Sequence, residues 1–351
     1  MNRRHLVSLS LSALVFALAG ESWPVSNTGA IVLKTPVSSR ARALGETGVA
    51  DNTDPANVWF NPANVVGPAR VYAQGTSWYV APDTYEDMYV RGGNGGLSYE
   101  TGAEGQPLSL AMDVSFAKFS YGQSIATDPT GVPLGTFEPW EKSFSVALGA
   151  GYLFQNGLDL RLGAAVKQFW AEYLPAELTM EGSDLEMDAV AFDVGATLAL
   201  RRPASGWSLT PALAVACVNM GSDMEGPFGG EVPLPTRLHA GTSLCAEGPA
   251  TRILGGDVPM VAVVCNLDVT ERFHDEPFSV GFGTELSLAR IAFLRMGVFS
   301  LSSEEDTDED GFNWGFGFGI PAGSFRARFD YTQPSGVNDQ NVYGLALTWM
   351  L

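Results

Sequence analysis

The chain has 351 residues, enough for one large domain or two ordinary ones, and a formal net charge of −19 at pH 7. This acidic excess repels nucleic-acid phosphates and anionic lipid headgroups, so it excludes nucleic acid as a partner and attachment to a lipid surface through a basic face. Because three cysteines cannot form a closed disulfide framework, we expect Cys217, Cys245 and Cys265 to be buried, unreactive thiols, with one cross-strand disulfide as the alternative.

Residues 1–19 have the features of a cleaved secretory signal peptide. Two arginines precede an apolar stretch over 6–19, and Ala17 and Ala19 form a small-x-small cleavage motif. The apolar stretch is too short for a membrane-spanning helix, and no later apolar run is long enough for one. We therefore expect an exported chain that begins near Gly20 and is either soluble or embedded in a membrane as a β-barrel.

Residues 20–68 show no strong alternation of apolar and polar residues and contain many small residues. The segment carries a short motif with a turn signal, because Pro fixes φ and Asn tolerates unusual backbone angles. The small residues favour tight packing, and the two aromatic residues of the motif would anchor the segment to a surrounding wall. The motif consists of Trp59, Phe60, Asn61, Pro62 and Ala63.

From residue 69 onward the sequence repeats an alternation with a period of two. In residues 312–320, large apolar residues such as Phe312 and Phe316 share one face, and small or polar residues such as Asn313 and Gly317 share the other. Successive side chains of a strand point to opposite faces of its sheet. Each alternating segment therefore predicts a strand with one apolar face and one small or polar face.

The alternating segments favour a membrane barrel over a soluble sandwich. They run for about 10–14 residues, which suits a tilted bilayer crossing better than a globular strand of ~5–6 residues. Tyr and Trp concentrate near segment ends, as in the aromatic girdles of such barrels. We expect an all-β fold, a transmembrane antiparallel barrel over residues 69–351, integral to a bacterial outer membrane and in contact with its lipid and lipopolysaccharide. The predicted strands are 69–80, 88–100, 106–118, 141–154, 158–170, 187–200, 206–218, 236–246, 257–270, 276–288, 291–302, 311–320, 324–333 and 341–351.

The count of fourteen is even, as in bacterial single-chain barrels, and the connections agree with it. Alternate connections are long, at 119–140, 171–186 and 219–235, as expected of extracellular loops, and most of the others are short periplasmic turns. The connection 247–256 is longer than such a turn, so twelve or sixteen strands are the alternatives. The interior of a barrel of about eight strands is filled by side chains, and a barrel of about sixteen strands has an open channel. A barrel of fourteen strands should therefore need a plug, for which residues 20–68 are the candidate.

The N-terminal segment resembles that of the FadL-type transporters of hydrophobic compounds and of the related PorV/PorQ-type proteins of type IX secretion. The shared features are an Ala-rich stretch over 41–50, an acidic spacer over 51–54 and the box Phe60-Asn61-Pro62-Ala63. The chain departs from the common pattern at Glu46, where a second Gly is usual, and at Asn64, where Gly often follows the box. The resemblance implies a plugged, fourteen-stranded barrel and fixes no substrate, because both branches carry the box.

Three functions agree with this architecture. The first is passage of hydrophobic or amphipathic small molecules across the outer membrane by a FadL-like route, with 20–68 as the gate. The alternative is a PorV/PorQ-like role, in which the barrel holds or shuttles secreted proteins beside other secretion-system proteins. The third is a surface structural or adhesive barrel that acts through the loops 119–140 and 219–235.

Charged residues fall on the predicted lumen faces of the strands. Mixed charges inside a barrel usually pair across strands and hold a plug in place, and we prefer this role to a substrate-selective ring. These residues are Asp113, Arg161, Lys167, Asp193, Glu285, Arg295, Arg326, Arg328 and Asp330.

The acidic run near residue 306 is the one candidate for a cofactor. Asp306, Asp308 and Asp310 match the first half of a calcium-binding loop, and a Gly follows them. The twelfth position of such a loop is Gly317 here, where Glu is needed. We therefore expect a solvated extracellular turn, with weak Ca²⁺ binding as the alternative and no other cofactor.

The sequence does not favour an enzyme. Only His239 and His274 lie beyond the signal peptide, and Ser243 is the serine that would share a strand face with His239. Four residues along a strand separate the two side chains by roughly 13 Å, too far for the histidine to activate the serine.

Overall fold

The structure, a computed structural model, describes residues 28–80, 87–103, 106–128, 130–175, 185–226, 230–274, 278–302, 311–334 and 341–351. The predicted signal peptide and the acidic turn with Asp306, Asp308 and Asp310 lie outside these residues. Within the ranges that are described, no helix has the length and apolar character needed to cross a membrane.

Fourteen antiparallel strands form a closed barrel, which confirms the predicted fold class and strand count. The strands are β1 Arg70–Tyr79, β2 Tyr89–Ala103, β3 Gln106–Ser120, β4 Trp140–Leu153, β5 Leu158–Leu174, β6 Leu185–Leu200, β7 Trp207–Gly221, β8 Arg237–Glu247, β9 Val261–Arg272, β10 Phe278–Leu288, β11 Ala292–Ser302, β12 Gly311–Ala322, β13 Phe325–Gln333 and β14 Val342–Met350. Each strand pairs with its neighbours in the chain, and β1 pairs with β14 to close the sheet.

The apolar face of each strand is turned outward. On β12, Phe316 and Phe318 are 46% and 56% exposed, whereas Gly315 and Gly317, which alternate with them, face the interior. An apolar outer surface is stable only where the surrounding solvent is lipid, because water would leave it unburied. The alternation therefore places the membrane outside the barrel and the small or polar residues in the lumen.

The two ends of the barrel differ in their connections. The β3–β4 and β7–β8 connections carry small hairpins, Ser124–Thr127 with Pro133–Phe137 and Met224–Glu225 with Glu231–Val232. We call this the long-loop end, and we call the opposite end, where β4 joins β5 through a four-residue turn, the short-turn end. The long-loop end corresponds to the side that the sequence predicts to be extracellular.

The predicted strand 257–270 starts too early, because its first residues belong to a separate hairpin. Ala250–Ile253 pairs with Gly256–Pro259 through a turn at Leu254 and Gly255, whose φ angles of 48° and 82° are those of a type I′ turn. This hairpin accounts for the long 247–256 connection without altering the strand count. Its turn reaches across the rim, where Leu254 O accepts a hydrogen bond from Gly323 N.

Residues 28–69 occupy the lumen as a plug of short helices and turns. The elements are α1 Ile31–Lys34, α2 Ser39–Ala43, and two 3₁₀ helices, Pro55–Trp59 and Pro62–Val65. Most plug side chains are buried against the lumen faces of the strands, so the core of the molecule lies between the plug and the wall. The described part of the plug begins beside Met224 and Val232 at the long-loop end. It continues into β1 at Arg70, at the short-turn end.

Candidate functional site

The box of the plug packs tightly against β4, β5 and β6, which we call the packed wall. The box residues Trp59, Phe60, Asn61, Pro62 and Ala63 are all buried. The Pro62 backbone lies against Gly163 of β5 so closely that a Cβ at position 163 would collide with it. Glycine at this position is therefore required for the close approach of the two backbones.

Two asparagines link the turns of the plug to each other. Asn61 caps the second 3₁₀ helix, with its Oδ1 accepting from Ala63 N at 2.9 Å, and its Nδ2 donates to Val49 O and to Thr197 Oγ1 of β6, both at 3.0 Å. Asn64 Nδ2 donates to the carbonyl oxygens of Gly48 and Val49. Asn64 thus performs a structural role at the position where the family pattern often has Gly.

The aromatic residues of the box contact polar residues of the wall. The Phe60 ring meets the His239 ring edge to face, with 6.0 Å between centroids. The Lys167 ammonium lies 5.8 Å from the centre of a Trp59 ring. His239 Nδ1 is 2.8 Å from Thr270 Oγ1, so its polar partner is a threonine.

Residues 45 and 46 adopt a backbone conformation that favours glycine. Gly45 and Glu46 both have positive φ, at 65° and 57°, a conformation that a residue with a side chain adopts at a cost of ~1–2 kcal/mol. The backbone of Gly45 also lies directly against that of β11 at Val298. The chain therefore has a left-handed turn here and places a strained residue, Glu46, in it.

The opposite side of the plug meets β9 to β14, which we call the charged wall, through an alternating chain of acids and arginines. Arg40 donates to Asp51 at 2.6 Å and to Glu285 at 2.8 Å. Arg295 joins Glu285 to Asp330 at 2.6 and 2.7 Å. Arg328 joins Asp330 to Asp54 at 2.7 and 2.6 Å, so the chain starts and ends on the plug. The members of this charge network are Asp51, Arg40, Glu285, Arg295, Asp330, Arg328 and Asp54.

The partners in the charge network keep its members charged in spite of their burial. Burial alone would raise the pKa of Asp54, but the charges of Arg328 and Arg40 outweigh it and lower that pKa to about 2. Burial alone would lower the pKa of Arg40, but Asp51 and Glu285 raise it well above its usual value. Both groups are therefore charged at neutral pH, and each ion pair has little competition from water.

Asp268 of β9 adds a second link between the plug and the charged wall. One of its carboxylate oxygens accepts from Gly48 N at 2.6 Å and from Val49 N at 2.9 Å. These amides lie in a turn, where two adjacent N–H groups bind an anion well. Asn313 of β12 also donates to Arg42 O at 2.7 Å.

Four of the five remaining predicted lumen charges have other partners, and the fifth, Arg326, has a buried Nε without a hydrogen-bond partner among the described residues. Arg161 pairs with Asp159 on its own strand at 2.6 Å, and Lys167 pairs with Asp193 at 2.8 Å. Asp113 accepts from Tyr72, Asn94 and Ser115, at 2.7, 2.7 and 2.5 Å. The structure thus brings Glu285, Arg295, Arg328 and Asp330 together in one network and places Asp113, Arg161, Lys167 and Asp193 outside it.

Sequence reasoning missed the plug half of the network. Arg40, Asp51 and Asp54 lie in a segment without periodicity, so no pattern marks them as facing a wall. Asp268 could have been found, because it alternates with Leu267 and Val269 on a predicted strand.

Two cavities lie against the plug, one toward each end of the lumen. The lower cavity, of about 340 Å³, is bordered by the plug residues 52–55 and lies at the short-turn end. The upper cavity, of about 180 Å³, is bordered by residues 33–36 and the two box aromatics. The plug residues that border one cavity differ from those that border the other, so the plug lies between the two.

The described part of the chain shows no grouping suited to metal binding. No three His, Cys, Asp or Glu side chains among those described converge on one point. Cys217, Cys245 and Cys265 are half-buried thiols, and the alternative of a disulfide between two of them is not realised. His239 and Ser243 of β8 both face the lumen of the barrel, as the alternation predicts.

Comparison with known proteins shows the fold. No family model matches the chain, and no curated protein matches it. The chain is similar to the toluene transporter TbuX of Ralstonia pickettii, with a TM-score of 0.51 and 12% identity over 90% of this chain and 98% of that one. It is also similar to a deltaS2S3 mutant of the monoaromatic hydrocarbon channel TodX, with a TM-score of 0.52 and 11% identity over 90% of this chain and 99% of that one. The chain therefore has the same barrel fold as these two proteins.

Proposed function

We propose that the barrel passes hydrophobic or amphipathic small molecules across the outer membrane and that the plug is its gate. The observation that supports this most is the plug itself, which fills a fourteen-stranded lumen and leaves one cavity on each side. The two solved structures of similar fold are described as a toluene transporter and a monoaromatic hydrocarbon channel. A barrel with the same fold and a separate lumen plug is suited to the same class of cargo.

The gate opens by movement of the plug, because the wall is continuous. Neighbouring strands are joined by backbone ladders along most of their length, including the β1–β14 closure and the β7–β8 pair. Opening a ladder inside a bilayer would leave backbone groups without partners, at a cost of several kcal/mol for each group. Displacing the plug exposes its polar contacts to a wet lumen instead, which costs far less.

Uptake measurements test this proposal. Vesicles with a lipopolysaccharide outer leaflet and the full-length protein should take up radiolabelled toluene faster than protein-free vesicles. Deletion of residues 40–64 should increase uptake further, because the lumen loses its obstruction. Equal uptake by the intact and deleted proteins would contradict the gate, provided that both resist unfolding in cold detergent as barrels do.

The continuity of the wall also favours a second candidate, the PorV/PorQ-like role. Among the described residues, the ladders show no lateral opening through which a lipid-soluble molecule could leave the lumen sideways. Such a barrel is suited to holding a secreted protein or a translocon component at its loops. Purification from the native membrane distinguishes the two, since a large stoichiometric protein complex supports secretion and a solitary barrel with bound small molecules supports transport.

A further inference from the structure

Three cationic side chains lie next to one another on the outer surface of the barrel, at its long-loop end. Arg91 of β2 is paired in register with Lys118 of β3, and Lys118 is paired with Lys142 of β4. Each of them is the third residue of its strand, counted from the long-loop end. Since neighbouring strands are ~4.8 Å apart, the three residues span about 10 Å along the rim. We call them the basic row.

The strand alternation turns the basic row away from the lumen. The residues on either side of Lys118 and of Lys142 in the chain are buried, and Arg91 is itself exposed. In the described parts of the fourteen strands every other arginine or lysine faces the lumen, so the outward cations of the strands are confined to this row. The lumen-facing cations are Arg70, Arg161, Lys167, Arg237, Arg272, Arg295, Arg326 and Arg328.

The basic row carries an excess of positive charge in a chain whose net charge is −19. Glu138 pairs with Lys118 at 2.9 Å and neutralises one of the three cations. Arg91 and Lys142 have no ion pair with a described residue and lie instead over a tyrosine and a tryptophan ring, 4.4 and 3.7 Å from the ring centroids. Like charges directly opposite each other destabilise a sheet, so this arrangement favours an anion from outside the chain.

The surroundings of the basic row are those of the boundary between lipid headgroups and acyl chains. Trp170 of β5 continues the row, because it is paired with Lys142 and is 40% exposed. Tryptophan and tyrosine concentrate at this boundary in membrane proteins. Two residues nearer the middle of the barrel, Phe116 and Phe144 are paired with each other and are 45% and 41% exposed. A lipid at this point would meet cations with its headgroup and aromatic rings with its acyl chains.

Acidic residues limit the row on its β5 side. Glu172 of β5 and Asp188 of β6 face outward at the same end of the barrel, where they are paired with Trp140 and Trp170. Carboxylates bind a phosphate only through a bridging divalent cation, whereas arginine and lysine bind it directly. Chelation of divalent cations therefore distinguishes binding at the acids from binding at the basic row.

We propose that the basic row binds a lipopolysaccharide molecule of the outer leaflet through the phosphates on its sugar headgroup, with its acyl chains against Phe116 and Phe144. Three cations in a row can contact more than one phosphate at a time, and charge-assisted hydrogen bonds are among the strong ones. The occupant is a lipid of this leaflet, because the row faces the bilayer at the long-loop end, the side predicted to be extracellular. The site lies outside the lumen and does not rest on the proposed transport function.

Native mass spectrometry of the full-length protein in detergent micelles tests the site, with deep-rough lipopolysaccharide as the probe and EDTA present throughout. The wild type should bind the probe saturably, and removal of the probe's phosphates should weaken binding by roughly tenfold or more. The double variant Arg91→Gln/Lys142→Gln should show a similar loss, because two of the three cations are gone. The control Arg202→Gln/Arg252→Gln, which removes two exposed cations at the short-turn end, should bind like the wild type.

Several results would overturn the site. Equal binding of the intact and the dephosphorylated probe would remove the role of the phosphates, and equally tight binding of phosphatidylglycerol would leave only a general affinity for anionic lipid. Unchanged binding by a double variant that melts at the wild-type temperature, or an equal loss in the control, would show that the basic row is not the site. Binding that appears only when magnesium replaces EDTA would assign the contact to Glu172 and Asp188. Toluene uptake by the double variant should equal that of the wild type, so failure of this site leaves the transport proposal unaffected.

Discussion

The plug touches the packed wall and the charged wall in different ways, and the difference indicates where it can move. Against β4, β5 and β6 the contact is steric: Val65 and Val66 lie in the space left by Gly149 and Gly151, and the Pro62 backbone lies against Gly163. Against the charged wall the close approach of Gly45 to β11 is joined by ion pairs of Arg40 and Asp54 and by amide hydrogen bonds to Asp268. Steric contacts of this kind are lost only when the segment leaves, whereas ion pairs can be exchanged for water.

This asymmetry leads to a simple picture of the gate. We propose that the box stays seated against the packed wall while α2 and the acidic spacer separate from the charged wall. Water that enters the lumen then solvates the charges that the separation exposes, which lowers the cost of opening. The following changes weaken one wall at a time, in order of decreasing effect.

Glu285→Gln should have the largest effect, because Glu285 connects Arg40 of the plug with Arg295 of the wall. Removing one partner of a buried ion pair costs about 3–5 kcal/mol, so protection of residues 39–51 from amide hydrogen exchange should fall by roughly a hundredfold or more. Glu271→Gln on the neighbouring strand β9 is the control and should leave protection unchanged. Similar protection in both variants would show that the network does not hold the plug.

Lowering the pH should release the plug from the charged wall, because Asp54 becomes protonated. Its pKa is about 2 in the folded protein against 3.8 ordinarily, so its contribution is complete above about pH 4 and is lost as the pH falls toward 2. The shift corresponds to about 2 kcal/mol. Protection of residues 39–51 should therefore decline between pH 4 and pH 2.5 in the wild type, and Asp54→Asn, already weakened at pH 7, should show a smaller decline. Equal declines in protection in the wild type and in Asp54→Asn would mean that groups other than Asp54 cause the effect.

Gly163→Ala should disturb the packed wall to a smaller extent. The added methyl group would collide with the Pro62 backbone, and overpacking of this size costs about 1–2 kcal/mol. Hydrogen exchange should increase at residues 61–66 and remain unchanged at 39–45, because the two walls act separately. A uniform increase over the whole plug would show that the plug moves as one body and would contradict the comparison.

Arg70→Gln should have almost no effect on stability, although Arg70 is among the most buried arginines. It has no anionic partner among the described residues, so its removal breaks no ion pair and relieves an uncompensated charge. Its thermal midpoint should equal or exceed that of the wild type, whereas Arg328→Gln, which loses contacts to Asp330 and Asp54, should melt lower. A large fall in the thermal midpoint of Arg70→Gln would mean that the buried Arg70 stabilises the fold without an anionic partner.

The barrel was predictable from the sequence because its signal is periodic. The alternation of apolar with small or polar residues along β12 or β14 indicates which face of the strand meets lipid. Counting the segments that alternate in this way predicts the number of strands. The burial of the box followed from its turn residues and aromatics. The hairpin at Leu254 and Gly255 was not recognised, because its last residues, 257–259, were read as the start of the next strand.

The plug side of the site was less accessible to prediction for a physical reason. Which wall residue meets Arg40 or Asp54 depends on how an irregular segment threads a curved lumen, and no local pattern encodes that path. The same applies to the unpaired state of Arg70 and Arg326, which became apparent only when the partners of Asp54, Glu247 and Glu285 were known. Sequence shows that charges face the lumen, and only the structure shows which of them are neutralised.

Two disulfide locks in a background without Cys217, Cys245 and Cys265 test the gate most directly. The first pair, Ser39→Cys with Gly344→Cys, joins the plug to the charged wall, where the Ser39 Cβ lies 3.0 Å from the position of a Cβ added at residue 344. The second pair, Val66→Cys with Gly149→Cys, joins the plug to the packed wall, where a methyl group of Val66 lies 2.7 Å from the position of a Cβ added at residue 149. Oxidation of the first pair should abolish toluene uptake and reduction should restore it, whereas the protein with the second pair should take up toluene in both states. Undiminished uptake with the first pair oxidised would contradict the gate.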